Sequence, residues 1–306
     1  MPVKREAAYR KLLDNGELEQ RSLTARQSLQ SCDLCARCCR ANRRLGSKGA
    51  VCRTGELAVV HSYGPHHGEE DPLRGWNGSG TIFFSWCNLC CVFCQNWNIS
   101  QEGSGLERSS DQIATVMLEL QDRGCHNINL VSPSHVVAQV IEAVWRAAQQ
   151  GLRLPLVYNT GGYDSMAALD LLDGIVDIYM PDMKFANAEA AREFTTAKDY
   201  VEVNRATVRE MHRQVGDLII DEKGIARRGL LIRHLVLPEG MAGTDDTLRF
   251  IAQEISPSTY VNVMSQYRPC YKAGEYPPLD RPLMLKDYRL ARETCARYGL
   301  HRIDGG

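Results

Sequence analysis

From Gly80 onward the chain alternates short β-branched or apolar runs with segments of helical periodicity, and this alternation limits the fold more than anything else in the sequence. The runs are TIFFS from Thr81, NINLVS from Asn127, PLVYNT from Pro155, GIVDIYMPD from Gly174, LLIRHLVLP from Leu230 and YVNVMSQY from Tyr260. A strand followed by a helix, repeated, needs crossover connections and therefore predicts a parallel α/β sheet. Such units suit an open doubly wound sheet or an incomplete barrel, and in both the ligands gather at the carboxyl ends of the strands. Ser109 or Ser110 is placed to cap the helix DQIATVMLELQDRG, which Gly124 can close. A last helix is expected near Lys286 to Tyr298, with Leu290, Thr294 and Tyr298 at helical spacing.

With 306 residues, 44% hydrophobic and 24% charged, the chain has the material for a full core and reads as a soluble protein of one large domain or two small ones. It has no apolar run of the roughly 18 residues a membrane helix needs, and its start, MPVKREAAYRKLLDNGE, lacks the apolar stretch of a signal peptide. The expected compartment is the cytoplasm, where twelve cysteines are metal ligands or reactive thiols before they are disulfides. A formal net charge of -1 argues against a nucleic-acid binder.

In SWCNLCCVFCQN, Cys87, Cys91 and Cys94 have the spacing CxxxCxxC on the loop after the first run. Three thiolates on one short loop can ligate three irons of a cubane cluster and leave the fourth iron open, and an open coordination position usually means chemistry. Structural zinc or buried thiols are the bland alternatives. Zinc wants four protein ligands, and Cys90, the candidate for the fourth, adjoins Cys91, so the two side chains tend to point apart.

CNLCCVFCQN resembles the cluster loop of the radical S-adenosylmethionine (SAM) enzymes. NGSGTIFFSWCNLCCVFCQN, YNTGG, DIYMPDMKF and RHLVLPEG resemble the pyruvate formate-lyase activating enzyme-like branch, a likeness that runs from Asn77 to the last helix. It implies an incomplete (β/α)6 TIM-type barrel over 77–306, behind a small Cys-rich N-terminal extension over 1–76. It also implies a 4Fe-4S cluster on Cys87, Cys91 and Cys94, with SAM on the open iron and a 5'-deoxyadenosyl radical as the product of reductive cleavage. Such an oxidoreductase takes its electron from a donor such as flavodoxin or ferredoxin. Hydrogen would come from a protein or peptide, as in glycyl-radical activation; a metabolite, a ribosomal peptide or RNA is the alternative substrate. A non-catalytic iron-sulfur electron carrier or a zinc-bound binding module is the alternative of another class.

Carried over residue by residue, the likeness sets Phe93 against the adenine and Asn159 and Thr160 against the SAM ribose or carboxylate. It sets Asp182 and Lys184, as the family's DLK, beside SAM and the incoming peptide, and Arg233 on the corresponding strand. A core-filling Phe, a strand-end turn, a surface ion pair and a helix anchor are the structural alternatives. One departure stands out. Where many relatives have GGEP, this chain reads LVSPSHV, so Ser132, Ser134 and His135 offer hydroxyl, imidazole or backbone oxygens but no carboxylate.

Cys32, Cys35, Cys39 and Cys52 form a second set, CxxCxxxC and a later cysteine, which suits zinc or a second iron-sulfur cluster, with Cys38 as a spare. Between Asp33 and Glu56 the charged residues are all basic: Arg37, Arg40, Arg43, Arg44, Lys48 and Arg53. They read as a solvated face or as partners for carboxylates, or else as phosphate contacts, though no aromatic side chain stands among them to stack bases. SYGPHHGEEDPLRGWNGSG reads as an ordered connector, whose His66, His67, Glu69, Glu70 and Asp71 are expected in solvent rather than on a metal. Cys270 is expected near the pocket mouth and Gln266 and Tyr267 at substrate, while Cys125 and Cys295 are assigned to packing.

Overall fold

The computed structural model describes residues 6–304; residues 1–5 of the charged N-terminal segment, and 305–306, lie outside the described residues. Its strands are β1 (Ala58–His66), β2 (Ser79–Phe84), β3 (Leu106–Arg108), β4 (Ile128–Val131), β5 (Leu156–Thr160), β6 (Ile178–Pro181), β7 (Ile219–Ile220), β8 (Ala226–Leu235), β9 (Tyr260–Met264) and β10 (Ile303–Asp304). The helices used below are α1 (Tyr9–Asp14), α2 (Glu17–Ser28), α3 (Asp71–Arg74), α4 (Trp97–Ser100), α5 (Ser110–Asp122), α6 (Val137–Gln149), α7 (Met166–Leu172), α8 (Ala188–Thr195), α9 (Tyr200–Val215), α10 (Thr244–Phe250) and α11 (Leu285–Arg297).

Each of the predicted runs is a strand, and β2, β4, β5, β6, β8 and β9 pair in parallel and in chain order, which makes a mostly parallel sheet consistent with a TIM-type barrel. Successive side chains on these strands alternate faces. Tyr158 and Tyr179 pack outward into the main core with α5 and α6. Val157, Ile178, Met180 and Leu231 join Leu73 in a separate inner cluster. Asn129, Asn159, Arg233 and Asn262 share strands and parity with inner residues, so the inner face turns polar toward the carboxyl ends.

The connector differs from its sequence reading, because its first part is strand. β1 runs antiparallel to β2, Val60 facing Phe84 and His66 facing Ser79, with a bulge between Val60 and Ser62. Gly64, Pro65 and His66 are poor strand formers. Pro65 is tolerated because β3 pairs with β1 only over Ala58–Val60, leaving the far side of Pro65 without a ladder to supply.

Helix α5 begins as expected: Ser109 accepts from the Gln112 N–H and Gln112 returns a bond to the Ser109 N–H, a full capping box. In α11, Thr294 is buried, whereas Leu290 is 61% exposed and stays on the surface. Ahead of the sheet, α1 and α2 pack on α6. No helix among the described residues is long and apolar enough to cross a membrane.

Candidate active site

At the carboxyl ends of the parallel strands a cavity is lined by Cys87, Cys91 and Cys94 on one side and by Asp182, Lys184 and Arg233 on the other, with Phe83, Ser132, Asn159 and Thr160 between. This is the end of a parallel sheet at which ligands bind. The thiols are all free. The Leu89 N–H donates to Cys87 Sγ at 3.4 Å and Ser100 Oγ to Cys94 Sγ at 3.2 Å, the sort of contact that favours thiolate and tunes a bound metal. Burial pushes the Cys87 thiol up to about 11. Burial also raises Cys91, against the pull of Lys184. Thiols held up in this way ionise when a metal takes their protons' place. Among the described residues no three His, Cys, Asp or Glu side chains are arranged to hold a single metal ion; a cubane cluster asks for thiolates farther apart than one ion does. Free thiols lining one cavity with fixed charges opposite are a donor set that fits an iron-sulfur cluster and a charged ligand beside it.

The opposite wall is a buried charge triad. Arg233 Nε donates to Asp182 Oδ1 at 2.8 Å and Lys184 Nζ donates to Asp182 Oδ2. Arg233 reaches Asn159 Oδ1 as well, at 2.7 Å. The side chains of Asp182, Lys184 and Arg233 are 12%, 19% and 19% exposed, so this is no surface ion pair. Burial pushes the Asp182 carboxyl up, yet Arg233 and Lys184 together hold it below the usual carboxylate range.

Two residues with no place in the sequence-based site fix this wall. Tyr200 Oη accepts from the Lys184 N–H at 3.0 Å and donates to the Gly161 carbonyl at 3.0 Å. Asn204 Nδ2 donates to the carbonyls of Gly162 at 3.0 Å and Asp182 at 2.9 Å. Both stand one turn apart on α9. Gly162, at φ +71°, has no room for a side chain, since a Cβ would lie 2.1 Å from Asn204 Nδ2. The signal in the sequence is faint: Tyr200, Asn204 and Thr207 are polar residues on what turns out to be the buried face of a helix.

Several expected contacts lie elsewhere. Phe93 does not line the cavity; its ring is buried and meets Phe185 and Tyr267 edge-on, at 5.9 and 6.1 Å between centroids. Tyr267 is packed there too, with its hydroxyl on the Leu279 carbonyl. Gln266 meets Gln95 through its backbone oxygen. Thr160 faces the cavity, but its hydroxyl donates to Asp164 at 2.7 Å and meets Ser134 Oγ at 2.8 Å. Asp164, which also accepts from Tyr158, is a buried carboxyl pushed up by desolvation and was not among the expected residues.

In the segment that replaces GGEP, Ser132 lines the cavity in a left-handed conformation, φ +58°. His135 turns away to Ser85, whose carbonyl accepts from Nε2 at 2.9 Å. Burial takes this imidazole down to about 3, so it is neutral and Nε2 carries the proton.

The second cysteine set lies against the cluster loop. Cys35 is close to Cys52 and Cys32, and burial pushes its thiol up to about 12. Cys39 packs with Cys52, whereas Cys38 is exposed. Cys90 is near Cys52 as well as Cys94. Cys270 is half-buried, and the backbone N–H of Lys272 two residues on donates to the Val92 carbonyl of the cluster loop at 2.9 Å. Cys125 and Cys295 are buried in the main core.

The basic run is a solvated face at Arg40, Arg44, Lys48 and Arg53, as expected, but Arg37 and Arg43 turn inward and hold backbone carbonyls instead. Arg37 donates to the carbonyls of Asn88 at 2.6 Å, Thr196 at 2.9 Å and Thr195 at 3.0 Å. Arg43 is 1% exposed and donates to the carbonyls of Thr54 at 2.9 Å and His135 at 2.6 Å. Arg40 does pair with a carboxylate, Asp33.

With the geometry in place, the family described as Radical SAM superfamily matches residues 81–222. The chain is also 31% identical over 289 residues to an uncharacterised protein of Methanocaldococcus jannaschii, which covers 91% of this chain and 78% of that one.

Proposed function

The chain belongs to the radical SAM superfamily, a SAM-cleaving iron-sulfur enzyme class, and from that premise we propose that it acts on a protein or peptide in the manner of a glycyl-radical activating enzyme, on an incomplete (β/α)6 barrel. A reduced 4Fe-4S cluster, when bound, supplies one electron to SAM and so a 5'-deoxyadenosyl radical that takes a hydrogen atom from substrate. Everything else is the work of the chain. Cys87, Cys91 and Cys94 are the cluster's ligands, and an open fourth iron leaves room for SAM. Lys184, Arg233 and Asp182, which line the same cavity as the thiols, would hold the charged ends of SAM, and Ser132 and Asn159 would lie beside it. Lys184 and Arg233 suit a carboxylate, and Asp182 suits an ammonium group, which makes good the carboxylate missing from LVSPSHV. The observation that carries this reading is that three free cysteines and this triad line one cavity at the strand ends. An electron carrier would have no use for such a triad.

Flavodoxin or ferredoxin is our proposed electron donor. Cys32, Cys35, Cys39 and Cys52 we read as a second metal site, zinc or iron-sulfur, which iron and sulfide analysis of a chain lacking Cys87, Cys91 and Cys94 would distinguish.

Anaerobic reconstitution with iron and sulfide, reduction with dithionite and addition of SAM should yield 5'-deoxyadenosine from the wild type and none from Cys91→Ala. Equal yields from the two, or a reducible cluster with no affinity for SAM, would overturn the reading.

A further inference from the structure

The connector expected in solvent keeps His67 and Asp71 exposed but turns Glu69 and Glu70 inward, and neither is part of the proposed SAM site. Glu70 is 7% exposed, and its Oε1 accepts from Asn262 Nδ2 at 2.9 Å, joining the loop after β1 to β9, a strand that is not its neighbour in the sheet. The Glu69 side chain is likewise 7% exposed, with Oε1 3.4 Å from His66 Nδ1. His66 lies edge-on to Phe83, 5.8 Å between centroids, and Phe83 lines the cavity above.

Polar atoms here go unpaired. Asn129 on β4 is 0% exposed and lies against Glu69, which its amide helps to hold down, while its Oδ1 has no hydrogen-bond partner. Glu70 Oε2 is buried and without a hydrogen-bond partner too. Each such atom has given up its water without a replacement, which destabilises a fold, so a group of them in one place points to something that completes them.

Charge and donor count say what that is. Around this spot Asp182, Glu69 and Glu70 are carboxylates, whereas the cations facing them are Lys184 and Arg233; both donate to Asp182, and Arg233 faces Glu69 and Glu70 as well. Burial pushes the Glu69 carboxyl up, and the neighbouring Glu70 adds to this, against the pull of Arg233, His66 and Asn129. If Asn129 Nδ2 donates to Glu69, the groups left are acceptors: Asn129 Oδ1, Glu70 Oε2 and the remaining oxygen of Glu69. An alkylammonium brings one positive charge and three N–H donors.

We propose that Glu69, Glu70, Asn129 and His66 receive an alkylammonium group, carried by a lysine-like side chain or a free amine, just beneath the SAM cavity. This rests on the proposed function only in making that amine part of the substrate. The His66 side chain, 44% exposed, marks the lip through which it enters.

The test is an anaerobic calorimetric titration of the reconstituted chain with Nα-acetyl-lysine methylamide, n-butylamine and Nα-acetyl-norleucine methylamide. The two amines should bind and the norleucine probe should not, and Glu69→Gln should weaken the amines at least about tenfold, as loss of a buried charge partner does. Binding of the lysine probe alone would assign the amine to a peptide; binding of both amines would place recognition in the ammonium group itself. Equal binding of lysine and norleucine probes, no binding by either amine, or affinity untouched by Glu69→Gln would each overturn the site. Should the variant fail to hold iron, the contrast between lysine and norleucine probes in the unaltered chain decides the question. The readout needs no SAM cleavage, so amine binding without 5'-deoxyadenosine would sink the radical reading and leave this one standing.

Discussion

Asp182 carries the cavity wall, and replacing it with Asn tests whether the wall is one desolvated unit. Asn keeps the shape and one acceptor for Arg233, which now donates from Nε at 2.8 Å to Oδ1. It removes the charge that both Lys184 and Arg233 share, and it sets an amide or a single oxygen against the Lys184 ammonium. Asp182 is 12% exposed at its side chain and its partners 19% each, so water can screen little of the change. Breaking a buried pair by removing one member costs about 3–5 kcal/mol, because the partner's charge stays behind. We expect a loss near the lower end, about 3 kcal/mol, since Arg233 keeps Asn159. Urea unfolding of the anaerobic reconstituted protein measures it. The loss should survive high salt, which screens exposed pairs but not buried ones, and Asp182→Asn with Lys184→Met should recover part of it. The sign with pH follows from the depressed Asp182 carboxyl. Its contribution is complete above the ordinary carboxylate range and disappears as pH falls through the lowered folded value. A loss under about 1 kcal/mol, the scale of an exposed pair, or one abolished by salt, would refute the argument.

Two further outcomes follow from neighbouring groups. His135 is neutral in the fold, taken down to about 3 from an ordinary 6.5, so the unfolded chain takes up a proton that the folded chain refuses. Stability from this residue is complete well above pH 6.5 and is lost toward pH 3, by roughly 1 kcal/mol at pH 5.5. His135→Gln should be less acid-sensitive than the wild type by that amount in paired urea titrations; equal sensitivity would rule the account out. Arg37→Ala removes the donor to the Asn88, Thr195 and Thr196 carbonyls, a loss of about 2 kcal/mol for a charged donor that is partly exposed. Chelator should strip iron from the variant about tenfold faster, and an unchanged rate would show that the cluster loop does not depend on this clamp.

The strands were legible because burial on both sides makes parallel strands read as apolar runs, and the helix at Ser109 because its cap is local chemistry. Strand β1 was not, since Gly64, Pro65 and His66 pair through a backbone that side-chain pattern does not report. The thiol loop could be read because three cysteines lie within eight residues, so sequence spacing is nearly spatial spacing. Asp182, Lys184 and Arg233 were located through family likeness; their burial and mutual bonding depend on β6 and β8 pairing, which spacing cannot express. Tyr200 and Asn204 hold the Gly161, Gly162 and Asp182 carbonyls from a helix that begins well beyond the strands it braces. Arg37 and Arg43 looked like surface charge because a backbone carbonyl as partner leaves no trace in sequence.

The inner face of the sheet has a vertical order that follows from the parity of its strands. On β5, Val157 lies below Asn159; on β6, Met180 lies below Asp182; on β8, Leu231 lies below Arg233. Each strand thus gives an apolar residue to the floor and a polar one to the layer above, and Leu73 of α3 seals the floor from beneath. Water is kept from below, while charges gather in a layer where low polarizability strengthens every interaction. Thiols come last, on the loop beyond the strand ends. A radical generated there would have a dry, apolar base and a wall of fixed charges to hold its precursor. Polar residues at Glu69, Glu70 and Asn129 break that order near the charged layer, with Glu70 tied to Asn262 and both glutamates facing Arg233. Their presence is better explained by recognition than by packing.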